Sequence, residues 1–154
     1  MDNFPSAYFQ DENEILTLVE AFKNRTLPAT EWTHQAHLTT GLWFNHNYSE
    51  LEAICYLRSG IIAYNLSSGG ENTPTKGYHE TLTIFWSKIL RSFILNHPEL
   101  GLLSLCNTFL NSNQSSKELP LTYYTKEVLF SLEARAMWVE PNLKNKLEPS
   151  EIWK

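Results

Sequence analysis

Residues 77–96 read GYHETLTIFWSKILRSFILN, and this stretch indicates the fold class most clearly. Its large apolar side chains recur three or four positions apart, which is the spacing that brings them to one face of an α-helix. They are Tyr78, Leu82, Phe85, Trp86, Ile89, Leu90 and Phe93. The pattern predicts a long helix over residues 78–96, which ends where His97-Pro98 interrupts it.

The regions on both sides of this helix also have helical patterns, and none has a convincing strand pattern. Thr30 is a candidate N-cap of a second helix, and the Ser-Glu-Leu-Glu stretch at 49–52 is a capping box for a third. The six predicted helices cover residues 12–24, about 30–44, 50–66, 78–96, roughly 99–110 and about 125–138. We therefore expect an all-α fold, a single-domain bundle of about six helices over residues 1–154 with an extended or irregular tail at 142–154.

The composition excludes several classes of protein. Hydrophobic residues make up 42% of the chain and aromatic residues 13%, which is enough for one packed core and too much for a disordered chain. The 12 Lys and Arg residues are scattered among 17 Asp and Glu residues, so the net charge is −5. We expect no binding to nucleic acid, because such binding needs a basic face opposite the phosphates.

The same composition bears on the cellular compartment. No apolar run approaches the roughly 18–20 residues that cross a bilayer, and the N-terminal residues lack the pattern of a signal peptide. The two cysteines, Cys55 and Cys106, form neither a CxxC pair nor a disulfide framework. We therefore expect a cytoplasmic protein that does not associate with membranes.

Two of the five histidines lie close together at the start of the predicted second helix. Glu31, His34 and His37 are spaced three residues apart, so on a helix they would form one ridge. His79 lies at the start of the long helix, and its spacing from the apolar residues there directs its ring inward. We expect the starts of these two helices to lie side by side, with the three histidines facing one cavity.

Three imidazoles near a carboxylate are typical of a metal site. His34, His37 and His79 would bind a divalent transition metal (zinc, iron, nickel or manganese) and leave one coordination position for water. The metal would lower the pKa of that water toward ~7, and Glu31 or Glu80 would act as general base or hold a histidine N–H. The first hypothesis is therefore a metal-dependent hydrolase or a related small-molecule enzyme.

A second group of residues favours a metal-free binding module. Arg58 and Asn65 interrupt the apolar stripe of the third helix, and a buried guanidinium needs a partner. That partner is either a carboxylate of the fold, Glu31 or Glu80, or an anionic ligand. The other walls of this pocket would be aromatic: Trp32, Tyr64, Tyr78 and Trp86. Such a pocket suits a small anionic or aromatic metabolite.

The histidine stretches also carry a resemblance. The pattern WTHxAHL at 32–38 and the stretch GYHETLT at 77–83 resemble a family of small uncharacterised bacterial proteins. Tyr64-Asn65 and the pattern SxxxRxxW at 131–138 belong to the same resemblance, which covers about residues 22–143 and implies no particular activity. Three histidines on a helical bundle are also loosely similar to the DinB-like metal-binding bundles, although two of them here share one helix.

A third hypothesis assigns the chain no site of its own. In that case it would be a subunit of a homodimer or of a complex with another protein. This hypothesis predicts that His34, His37 and His79 lie apart from one another and share no cavity.

Overall fold

Residues 8–143, which a computed structural model describes, fold into helices. These are α1 (Glu12–Lys23), α2 (His34–Asn47), α3 (Glu50–Ser67), α4 (Glu80–Asn96), α5 (Leu102–Leu110), α6 (Pro120–Tyr123), α7 (Lys126–Leu129) and α8 (Leu132–Ala136). An isolated β-bridge joins Thr73 to Lys76, and no strand forms in this part of the chain. The all-α prediction is therefore confirmed, while most of the predicted tail lies outside the described residues. None of the described helices has the length and apolar character needed to span a bilayer.

Local sequence signals account for the starts of α1 and α3. The N–H of Glu14 donates to the Asp11 side chain at 3.0 Å, which caps α1. The predicted capping box of α3 is confirmed: the Glu52 N–H donates to Ser49 Oγ at 3.3 Å, and the Ser49 N–H donates to the Glu52 carboxylate at 3.1 Å. These bonds satisfy N–H groups that have no partner inside the helix.

The predicted start of the second helix is wrong. Residues 29–31 form a single 3₁₀ turn, and Trp32 then leaves the helical region with φ −80° and ψ 62°. The cap is Thr33, whose hydroxyl accepts the Ala36 N–H at 3.2 Å, rather than Thr30. Glu31 therefore does not share a helix with the two histidines that follow it, and the predicted ridge is not formed.

The predicted last helix, at about 125–138, is divided into the two short helices α7 and α8, and the short helix α6 precedes it. The Thr125 hydroxyl accepts the Val128 N–H at 3.3 Å, and the Ser131 hydroxyl accepts the Ala134 N–H at 3.1 Å. Each hydroxyl gives the backbone a local partner that competes with continuation of the preceding helix. Ser131 is therefore a cap, and Trp138 lies beyond the end of α8.

α2 and α4 form the centre of the bundle. At Gly41 the two helices are so close that an added Cβ would lie 2.8 Å from Leu90 Cδ1. Between the same helices, the buried Asn45 Nδ2 donates to Ser87 Oγ at 2.9 Å. Because a buried amide is costly without its partner, this bond favours one register of α2 against α4.

Two apolar clusters pack around this central pair. One joins α1, α2, α4, α5 and the short C-terminal helices, and its buried residues include Ile15, Leu42, Phe85, Phe109 and Tyr124. The other joins α1, α2 and α3, and its buried residues include Phe22, Phe44, Leu57 and Tyr64. Burial of these side chains holds the helices that surround the candidate site.

Candidate functional site

A cavity of about 510 Å³ opens between the start of α2, the C-terminal half of α3 and the start of α4. The segment 117–130 forms its far side. Seven of the residues predicted to form the site line it: Trp32, His34, His37, Asn65, Tyr78, His79 and Trp86. The starts of α2 and α4 thus face one cavity, which the hypothesis of a chain without a site does not predict. The volume lies within the range of about 300–1,000 Å³ that is usual for small-molecule sites.

Trp32 and His37 form one wall of this cavity. Their ring centroids are 3.9 Å apart, and Trp32 also stacks on Phe22 at 4.7 Å. His37 is an exposed residue that borders the cavity, although many protein atoms surround its ring. Burial, with a smaller contribution from His34, lowers the pKa of His37 to about 4. His37 is therefore neutral at pH 7, and neither of its ring nitrogens has a hydrogen-bond partner among residues 8–143.

His34 connects α2 to the loop that follows α5. Its Nε2 lies 2.8 Å from the main-chain oxygen of Ser115, and because a carbonyl oxygen only accepts, Nε2 carries the hydrogen. Burial lowers the pKa of His34; the Ser115 carbonyl opposes this shift and the charge of Lys117 adds to it. In the neutral ring, Nδ1 therefore carries no hydrogen and is a hydrogen-bond acceptor. The described residues supply no donor for it. Trp86 packs edge-on against the same ring at 5.3 Å between centroids.

His79 uses both of its ring nitrogens within the protein. It is the N-cap of α4 rather than part of the helix, and its Nδ1 accepts the Leu82 N–H at 3.1 Å. Its Nε2 donates to the main-chain oxygen of Leu129 at 2.7 Å. Burial lowers the pKa of His79, although the Leu129 carbonyl opposes the shift. His79 therefore holds the start of α4 against α7 as a neutral side chain.

As they are hydrogen-bonded here, the three histidines do not fit a single metal ion. A ligating imidazole needs a free nitrogen lone pair, and that of His79 is occupied by the Leu82 N–H. Within residues 8–143, no group of three or more His, Cys, Asp or Glu side chains is arranged to hold a metal. His34 and His37 each have a nitrogen without a partner among the described residues. Metal binding therefore stays a prediction, and the site would have two protein ligands rather than three.

Arg58 is paired with Glu80 and does not face the cavity. Its Nε donates to both Glu80 oxygens at 3.1 and 3.0 Å, and Arg58 Nη2 and the Tyr78 hydroxyl donate to the same carboxylate. Burial by itself would raise the pKa of Glu80, but these hydrogen bonds outweigh it and hold the pKa below its usual value. A carboxylate held in this way is a weak general base, because taking up a proton would break the ion pair. Neither Arg58 nor Glu80 is part of the cavity wall.

Two more of the predicted site residues lie away from the cavity. Glu31 is exposed in the 3₁₀ turn before α2. Tyr64 is 1% exposed in the apolar cluster next to Phe22, and its hydroxyl donates to the main-chain oxygen of Leu27 at 2.8 Å. These positions give no support to Glu31 as a general base or to Tyr64 as a pocket wall.

The loop before α4 sets the orientation of the Asn65 amide. Asn72 Nδ2 donates to the main-chain oxygen of Ile62 at 2.9 Å, and Asn72 Oδ1 accepts the Tyr78 N–H at 3.0 Å. The Asn65 atom that lies 3.0 Å from Asn72 Oδ1 must therefore be Nδ2. Asn65 Oδ1 is then an acceptor on a cavity-lining residue, with no donor among the described residues.

Sequence reasoning missed the far wall of the cavity. Its residues include Lys117, Glu118, Leu121, Leu129 and Phe130. The first two belong to the polar stretch 111–118, which lies between two of the predicted helices. This stretch contacts His34 through the main-chain oxygen of Ser115. Every residue has such an oxygen, so the contact cannot be predicted from the pattern of side chains.

Comparisons of the chain with models of protein families, with curated proteins and with solved structures gave no match. The resemblance based on the stretches at 32–38 and 77–83 therefore stays a prediction. Any function has to come from the chemistry of the cavity, because folds of this class serve many activities.

Proposed function

We propose that this protein binds a small, largely apolar aromatic molecule in the cavity between α2, α3 and α4. The observation that supports it best is the wall formed by Trp32 and His37, whose rings lie 3.9 Å apart. The nitrogens of His37 have no hydrogen-bond partner among the described residues, so they are available to a ligand in the cavity. A flat ligand would pack on these rings and pair with His37.

The charges around the cavity favour an uncharged ring over an anion. Arg58, which the sequence offered as an anion partner, is neutralised by Glu80. Among the described residues that line the cavity, Lys117 is the one with a cationic side chain, and Glu118 beside it also lines the cavity. Most of the remaining wall is aliphatic or aromatic, which suits a ligand bound mainly by apolar contact.

A metal-dependent enzyme is the second candidate. The observation that favours it is the pair of neutral imidazoles of His34 and His37, which lie one helical turn apart on the same cavity. Each has a nitrogen without a partner in the part of the chain that the structure describes. A divalent transition metal bound there would supply Lewis-acid chemistry. It would have fewer protein ligands than the three usual for a catalytic zinc site.

Thermal unfolding with three sets of compounds tests both candidates. The sets are uncharged rings (indole, benzamide, adenine), anions (benzoate, phosphate) and divalent metals (zinc, nickel, manganese, iron), each with and without EDTA. We expect rings to raise Tm, and EDTA to leave that increase unchanged. An increase seen only with a metal and abolished by EDTA would support the second candidate. No increase with any ring would overturn the first.

Tryptophan fluorescence locates the binding. Trp32 and Trp86 line the cavity, while Trp43 lies outside it. A ring that binds in the cavity should change the emission of the first two. We expect Trp32→Phe and Trp86→Phe to reduce the ligand-dependent change and Trp43→Phe, the matched control, to retain it. An equal effect of all three substitutions would place the ligand elsewhere.

We also propose a cytoplasmic location. Cys55 and Cys106 are both free thiols, one exposed and one buried, which suits a reducing compartment. Fractionation of cells that produce the tagged protein would test this, and recovery in a membrane or secreted fraction would contradict it.

A further inference from the structure

We infer that the ligand is an uncharged nitrogen heterocycle with at least two N–H donors, because two acceptors on the cavity residues have no donor within the described part of the protein. The acceptors are His34 Nδ1 and Asn65 Oδ1. The inference rests on the proposed function and specifies the chemistry of its ligand.

Neither acceptor can become a donor by turning over. If the His34 ring turned, Nε2 would lose the Ser115 carbonyl that it meets at 2.8 Å. If the Asn65 amide turned, its oxygen would face Asn72 Oδ1, which is itself held by the Tyr78 N–H. Both orientations are thus set by main-chain groups, which have fixed donor and acceptor roles.

Donors are also present around the cavity. The indole N–H groups of Trp32 and Trp86 have no acceptor among residues 8–143, and the neutral His37 offers one N–H. A ligand that carries both N–H groups and ring nitrogens or carbonyls would therefore find partners for each. A purely apolar ring would displace water from the two acceptors without replacing the hydrogen bonds, which would weaken binding.

An anion fits the two acceptors poorly. Carboxylate and phosphate oxygens are acceptors, so they cannot donate to His34 Nδ1 and Asn65 Oδ1, and the lone pairs would repel one another. A planar heterocycle with N–H groups at its edge instead donates to both and packs its face on the aromatic wall. An aminopurine has this combination of groups, which makes adenine a suitable probe.

A matched pair of purines tests the inference on the unmodified protein. Adenine carries N–H donors on its amino group and its imidazole ring, and 6-dimethylamino-9-methylpurine is the same ring without any N–H. Calorimetric titration should show adenine binding at least about tenfold more tightly, because an acceptor left unpaired in a buried site costs roughly a factor of ten in affinity. This comparison needs no substitution, so it does not depend on the folding of a variant.

Two variants then assign the preference to the two acceptors. His34→Phe and Asn65→Leu retain side-chain volume and remove the acceptor, and each should reduce the preference for adenine about tenfold. His46→Phe and Asn96→Leu change exposed residues outside the cavity and are the controls. Unchanged preference in both cavity variants would overturn the assignment.

Other outcomes separate the inference from the proposed function. If the two purines bind equally within about a factor of two, or if benzoate or phosphate displaces adenine, a ring site exists but the requirement for donors is overturned. If neither purine binds while rings without N–H groups do, the requirement for donors is again overturned and the ring site remains. If no ring binds at all, the proposed function itself fails.

Discussion

The imidazole of His79 joins the start of α4 to the main-chain oxygen of Leu129, which lies 2.7 Å from its Nε2 and 50 residues further along the chain. Arg135 adds to this connection, since its Nη1 donates to the main-chain oxygen of Gly77 at 2.9 Å. Together these bonds hold α7 and α8 against α4 and keep Leu129 and Phe130 in the cavity wall.

Removal of the His79 ring should destabilise the protein. We expect His79→Ala to lower the free energy of unfolding by about 2–4 kcal/mol, because it removes a helix cap and leaves the buried Leu129 carbonyl without its donor. His79→Asn should recover about 1 kcal/mol, since asparagine can cap the helix but is too short to reach Leu129. Urea unfolding measures both. His46→Ala, on an exposed histidine, is the control and should change stability by less than about 0.5 kcal/mol.

Stability should decrease as the pH falls below 6.5. Burial lowers the folded-state pKa of His34, His37 and His79 from their ordinary value of 6.5, that of His37 to about 4. Between the unfolded and folded values, the unfolded chain binds protons that the folded chain does not. The stabilisation is therefore complete above pH 6.5 and is lost progressively toward pH 4. Urea midpoints at pH 7.5, 6.5, 5.5 and 4.5 measure this dependence.

One substitution tests the origin of that pH dependence. His37→Gln removes a group that takes up a proton on unfolding, so the loss of stability between pH 6.5 and 4.5 should be smaller than in the unmodified protein. His46→Gln is the matched control on an exposed histidine. Identical pH profiles for His37→Gln and the unmodified protein would contradict the assignment.

The ion pair of Arg58 and Glu80 should show strong coupling. The Glu80 side chain is 11% exposed, so Arg58→Met leaves a largely buried carboxylate without its cation and should cost about 1–3 kcal/mol. The double variant Arg58→Met/Glu80→Gln should lose less than the sum of the single variants, because the second substitution removes the unpaired charge. A double-mutant cycle by urea unfolding measures this coupling.

The exposed pair of Lys23 and Glu20 is the control for that cycle. Their side chains are 39% and 56% exposed, so solvent screens the pair, and Glu20→Gln should change stability by less than about 0.5 kcal/mol. Additive effects of Arg58→Met and Glu80→Gln would show that the buried pair is no more coupled than this one.

Gly77 should not tolerate a side chain. Its φ is +80°, and an added Cβ would lie 1.9 Å from the main-chain oxygen of Glu71. Gly77→Ala should therefore cost at least about 2 kcal/mol, more than the left-handed conformation alone requires. It should also weaken ligand binding, because the loop that orients Asn65 has to move. Gly69→Ala is the control: its φ is +87° but nothing lies within 4 Å, so about 1 kcal/mol is expected.

The limits of α1 and α3 could be predicted from the sequence to within one residue. Their apolar spacing and their caps are interactions between residues at most four positions apart, and such signals are visible in the chain itself. The same holds for most of α4, whose buried residues Phe85, Ile89 and Phe93 repeat at helical spacing. The fold class follows from these elements.

The sequence contains two possible N-caps for α2. Thr30 and Thr33 can both cap a helix, and the sequence does not rank them. In the structure, Trp32 stacks on Phe22 and packs on His37, and this packing accompanies the break between the 3₁₀ turn and α2. Contacts with a different helix therefore decided which hydroxyl is the cap.

The chemistry of the cavity depended on contacts between distant residues. From the sequence, Arg58 had two candidate carboxylate partners or a ligand, and His79 was a candidate metal ligand. Tertiary packing brought Glu80 to Arg58 and Leu129 to His79. His34, His37 and Asn65, which line the cavity, each keep an atom without a partner among residues 8–143. The sequence determines the helices because their signals are local. Pairing of buried polar groups across helices is decided by the tertiary fold, because each group must find a partner wherever packing provides one.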